Sequence, residues 1–152
     1  MTLTFERRYP AIGAAVVGVA GLLLSPRGAA QGMWDASSGA LILSGFVVGF
    51  LSLWAPMVVS GTTVIAARIL ESKYYPILMH YTSSAAVTAF WAASASLCVL
   101  FLHHLLPSAG WVIRGEVGAW AAVVMAMCLT AHRALVVLLR ASQSPVSNRR
   151  AA

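Results

Sequence analysis

The chain has 152 residues, 60% hydrophobic and 9% charged, with ten Lys and Arg against four Asp and Glu and a formal net charge of +6; its mean hydropathy is +0.83. An ordinary soluble domain carries about a quarter charged residues, and a disordered chain needs more charge and less apolar side chain than this, so both classes are excluded. The basic excess does not point to nucleic acid, because the basic residues sit at the ends of apolar runs and not on one polar face.

The first apolar run, residues 11–24, follows Glu6-Arg7-Arg8 and stops at Ser25-Pro26-Arg27. Tyr9, Pro10 and Ser25 extend it to a short span over about 10–25, which local thinning of a bilayer accommodates. A basic start, a short apolar run and Gly28-Ala29-Ala30 also resemble the grammar of a cleavable secretory signal. Gly13, Gly18 and Gly21 inside the run, with Pro26 and Arg27 close behind it, favour a retained, packed span.

Residues 40–59 carry no charge over 20 positions, about the length that crosses a bilayer as a helix, and apolar character continues to Arg68. One straight crossing does not need so many residues. The span is placed at about 40–62 with a kink at Pro56, which removes a backbone donor, followed by a short interfacial extension ending at Tyr74-Tyr75-Pro76. The third span, about 82–104, closes with His103-His104. The fourth, about 113–133, is interrupted by His132 and Arg133, and the apolar residues 134–139 then read as a segment on the membrane surface. Residues 142–152, rich in Ser and ending in Arg149-Arg150-Ala151-Ala152, read as a disordered basic tail.

With the N-terminus inside, Arg7, Arg8, Arg68, Lys73, Arg133, Arg140, Arg149 and Arg150 fall on the cytoplasmic side, and Arg27 and Arg114 on the other. The positive-inside rule therefore orients both termini to the cytoplasm. The outer connections, 26–39 and 107–114, are short. The expectation is an all-α integral membrane protein: a four-helix bundle of residues 1–141, N-in and C-in, in a bacterial inner membrane.

Lipid gives little hydrophobic drive for helix association, so small residues must supply close packing. Gly45 and Gly49 form a GxxxG pair on the second span. Ser84, Thr88, Ala92 and Ser96 recur at four-residue spacing on the third, beside Ala85, Ala89 and Ala93. Gly118, Ala122, Ala126 and Thr130 form a row on the fourth. These rows serve packing within the bundle or self-association.

Chemistry-bearing residues are few. Cys98 and Cys128 lie roughly 13 Å apart in depth, from helical rise, too far for a disulfide, and read as small packing residues. His103, His104 and Glu116 near the outer mouth are metal-ligand types, but adjacent histidines are poorly placed to share an ion, and they read as polar interfacial side chains. Arg68, His80, His132 and Arg133 fall at the inner ends of the spans, where they anchor the interface or form a positive site for an anionic headgroup. No acidic residue lies at the middle of a span, and no catalytic or phosphate-binding motif is present. The expectation is a non-catalytic protein without cofactor or metal, an assembly or partner-binding subunit in contact with lipid and with itself or another membrane protein. The alternative is a pore or permeation protein using Ser44, Ser52, Ser60, Thr62 and Thr63 with Ser84, Thr88 and Ser96.

Overall fold

A computed structural model of the chain describes residues 3–24, 29–61, 63–72, 74–102 and 110–143. All regular structure among them is helical: α1 (Leu3–Leu24), α2 (Ala29–Ser60), α3 (Val64–Glu71), α4 (Tyr75–Leu102) and α5 (Gly110–Ser142). Three helices are long and apolar enough to cross a membrane, over Gly32–Val58, Tyr75–Phe101 and Gly110–Ser142, while α1 contributes the shorter apolar stretch Arg8–Leu24. Large apolar side chains such as Ile12, Phe46, Leu53, Phe90, Trp91 and Phe101 face outward. Water would disfavour so much exposed apolar surface; the arrangement fits a membrane protein whose outer faces meet lipid.

The helices outrun the expected spans. Residues 29–39, expected as an outer loop, are the first turns of α2, with Met33 and Ser37 buried. Helix α5 continues unbroken through His132 and Arg133 to Ser142, correcting the expected surface segment at 134–139. A polar pair does not interrupt backbone bonds that are internal to the helix, and the next turns have a core to join. Ala141 is buried with Val58, Ile69 and Leu78, and Val137 and Leu138 pack against that cluster. At 32 and 33 residues, α2 and α5 are each about 50 Å long, well beyond the ~30 Å hydrocarbon layer.

Helix α2 runs through Pro56 to Ser60, and the break falls at Gly61, whose φ of 61° is open to glycine and strained for other residues. Proline removes one donor, a loss that membrane helices tolerate, whereas a left-handed residue ends the helix. Thr63 then caps α3, its hydroxyl accepting from the Ala66 amide at 3.1 Å.

The long helices pack in the order α1, α5, α4, α2. Among the described residues α1 lies against α5 alone, and α3 closes one end of the α2, α4 and α5 group. Gly18 faces Ala122 and Gly21 faces Gly118, so α1 and α5 run antiparallel. Thr88 with Thr130 and Ser96 with Trp120 set α4 antiparallel to α5. Val58 with Leu78 and Leu51 with Ala85 do the same for α2 and α4. The beginning of α1 and the end of α5 therefore share one end of the molecule with α3. Arg8, Arg68, Arg133 and Arg140 all belong to that end, and Arg114 to the opposite one.

Helix α4 is central. Ala85, Ala89, Ala92 and Ser96 are buried on it, with Val47 of α2 and Val123, Val124 and Met127 of α5 packed against Ala89 and Ala92. Small side chains let both neighbours approach closely, so dispersion contacts replace the missing hydrophobic drive.

Candidate functional site

Helices α1 and α4 both pack on α5, with no Cα of one within 8 Å of a Cα of the other among the described residues, and between them is a cleft of about 510 Å³. Its walls combine Pro10 and Ala11 of α1 with His80, Tyr81, Ser84 and Thr88 of α4, over Thr130 and Arg133 of α5. Arg133 stands nine residues before the end of α5 at Ser142, about 13 Å of helical rise, and is half-buried. Its Nη2 donates to the Tyr81 hydroxyl. The guanidinium carbon is 3.8 Å from the centroid of the Tyr81 ring and 5.8 Å from that of Tyr9, a cation-π arrangement that favours a desolvated cation. Tyr9 is itself fixed, its hydroxyl donating to the Leu129 carbonyl at 3.2 Å.

Of the four residues expected to gather at this end, the cleft unites His80 and Arg133. His132 follows the other face of α5, since neighbouring helical residues diverge by about 100°, and borders an apolar cavity of about 470 Å³ between α2, α4 and α5. Arg68 is exposed on α3 and does not line the cleft. Tyr9 and Thr130 join instead. Thr130 belongs to the small-residue row of α5, and Tyr81 follows His80, so both carried a sequence signal. Tyr9 carried none, because its partner is more than a hundred residues away.

Of the hydroxyls expected to line a path, Thr88 and Ser96 bond across to α5. Thr88 and Thr130 bond at 2.7 Å across α4 and α5, and each also reaches carbonyls of its own helix. Ser44 donates to the Leu41 carbonyl, Ser60 to that of Met57, and Thr63 caps α3, while Ser52 is exposed. Thr62 lies outside the described residues. The Ser96 hydroxyl accepts from the Trp120 indole at 3.0 Å. Ser96→Ala leaves that N–H without its acceptor, and a loss of about 1 kcal/mol is expected in thermal unfolding of the detergent-solubilised chain; an unchanged midpoint would deny the bond a structural role.

Cys98 and Cys128 are free and exposed on the chain's outer surface. His103 and His104 lie outside the described residues, as do residues 144–152 of the expected tail. Among the described residues no three metal-ligating side chains come together.

The small-residue rows divide into two kinds. On Gly118, an added Cβ would come within 2.8 Å of the Gly18 carbonyl oxygen, and on Gly18 within 2.9 Å of the Ala122 Cβ. These positions are consumed by the contact of α1 with α5. Ala126 borders the cleft. Gly45 and Gly49 differ: a Cβ on either meets nothing within 4 Å. They form the floor of an outward groove on α2, about 520 Å³, between the ridges of Ile42, Phe46, Phe50 and Leu53.

The chain matches no protein-family model, no curated protein and no solved structure.

Proposed function

We propose that this chain is a non-catalytic subunit of an inner-membrane assembly that associates with a second copy of itself through α2. In this reading all four long helices cross the bilayer as one bundle, with both termini and α3 on the cytoplasmic side. The observation that carries the proposal is the open groove at Gly45 and Gly49. Gly13, Gly18, Gly21 and Gly118 are already filled from within the chain, whereas Gly45 and Gly49, open like Gly32, Gly39, Gly110 and Gly115, lie in a groove walled by large apolar side chains. A groove between two phenylalanines on one helix is self-complementary: the Phe46 and Phe50 ridges of one copy fit the glycine floor of the other, as small-xxx-small faces do in lipid. The bonds of Thr88 to Thr130 and of Trp120 to Ser96 across α4 and α5 favour this reading over a permeation path, since these hydroxyls serve helix packing.

The test is the mass of the particle extracted in mild detergent, measured by light scattering. A species larger than one 16.0 kDa chain is expected, reduced to the monomer by Gly45→Leu with Gly49→Leu. Those side chains project into open space, so the monomer's thermal midpoint should stay within a degree or two of its original value. A wild-type monomer at all concentrations, or an oligomer indifferent to the double substitution, would sink the reading.

A further inference from the structure

We propose that the cleft between α1 and α4 is a binding site for a phosphate group, held by Arg133. The residues differ from those of the α2 groove, so this site stands or falls independently of self-association.

The argument begins with the charge. A guanidinium is protonated at every accessible pH and offers five donors. Arg133 directs one to a neutral phenol, and among the described residues it has no other hydrogen bond and no carboxylate partner. The chain has four acidic residues. Glu116 stands 17 positions earlier on α5, about 25 Å away along the helix. Asp35 lies in the first turns of α2, at the opposite end of the molecule, and Glu71 is exposed on α3. The Glu6 side chain lies outside the described residues. A cation within an apolar helix is costly unless a partner answers it.

Position adds to charge. Arg133 donates to the Tyr81 hydroxyl, and its guanidinium lies over the Tyr81 ring and within 5.8 Å of the Tyr9 ring centroid. That arrangement orients a planar donor set, and a planar fork suits two oxygens of one phosphate. Space adds to both. The cleft beside Arg133 is bordered by the His80 imidazole and the Ser84 hydroxyl, which supply further donors to an oxyanion. The backbones of α1 and α4 stay more than 8 Å apart at every described Cα pair, which leaves room between them. A phospholipid can therefore place its phosphate at Arg133 with its chains running out between the two helices, and a soluble phosphate can enter at the same end.

Both sources are separated by experiment on the full chain. For the lipid, native mass spectrometry would follow retention of phosphatidylglycerol after extraction from mixed phosphatidylglycerol and phosphatidylcholine bilayers. For the soluble ion, inorganic phosphate would be titrated by calorimetry. Arg133→Gln should reduce binding by about tenfold or more, the effect of one charge-assisted contact. Ala126→Leu, which fills the cleft without altering charge, should reduce it as well and covers the case in which Arg133→Gln does not fold. Arg68→Gln, which removes an exposed charge at the same end, should leave it unchanged. Loss of lipid retention alone identifies a headgroup, and Arg133-dependent calorimetric binding identifies a soluble ion; either supports the site. No binding in both arms, an equal loss with Arg68→Gln, or binding that appears only in Glu6→Gln, would overturn it.

Discussion

Gly118→Ile is expected to release α1 from the rest of the molecule, at a cost near the upper end of the ~1–3 kcal/mol typical of overpacking. The neighbour of the new Cβ is the Gly18 carbonyl oxygen at 2.8 Å, with the Leu22 amide nitrogen at 3.2 Å. Backbone atoms have no rotamer by which to withdraw, so the helices must separate. Dispersion falls steeply with separation, and α1 has no second helix to hold it. The expected result is a lower thermal midpoint together with faster proteolysis after Leu24. Gly45→Ile, with no atom within 4 Å of its Cβ, is the matched control and should leave the monomer's midpoint unchanged. Equal effects of the two substitutions would refute the α1 to α5 contact.

Ala89→Leu is the second large effect expected. Ala89 is fully buried at the centre of α4, packed with Met127, Val47, Val123 and Val124 from helices on both sides. Three added carbons have no space to enter, and relief on one side tightens the other, so destabilisation of about 2–3 kcal/mol is expected. Val87→Leu on the exposed face of the same helix should be close to neutral. The comparison is read as detergent-phase thermal unfolding of the two variants, and a neutral Ala89→Leu would mean that α4 is not the centre of the packing.

Much of this organisation is legible in the residue order. The uncharged runs announce the long helices, and the four-residue spacing of small side chains on α4 announces its buried face. Boundaries are less legible because hydropathy marks where lipid is tolerated, not where a helix ends. Thus α2 extends to Ala29 through a polar stretch, and α5 passes His132 and Arg133 because Val137, Leu138 and Ala141 find the core formed with Val58, Ile69 and Leu78. The candidate site is half legible. His80 and Arg133 are visible as ionisable residues at span ends, yet Tyr9 and the exclusion of His132 and Arg68 depend on helix rotation and on which helices are neighbours.

The low charge of the chain and the uneven placement of its basic residues follow from the sequence by itself, because transfer from water to lipid is governed by side-chain chemistry and run length. Which glycines are already used is a different kind of fact. Gly45 and Gly49 repeat at the same four-residue spacing that marks a packing face, yet they remain open, whereas Gly18 and Gly118 are closed against each other. The tertiary structure decides this, because close packing requires two surfaces and a single helix specifies only one. The same holds for Arg133: its charge is in the sequence, but its place near Tyr9 and over Tyr81, at the edge of an open cleft, exists only once α1 and α4 dock on opposite flanks of α5.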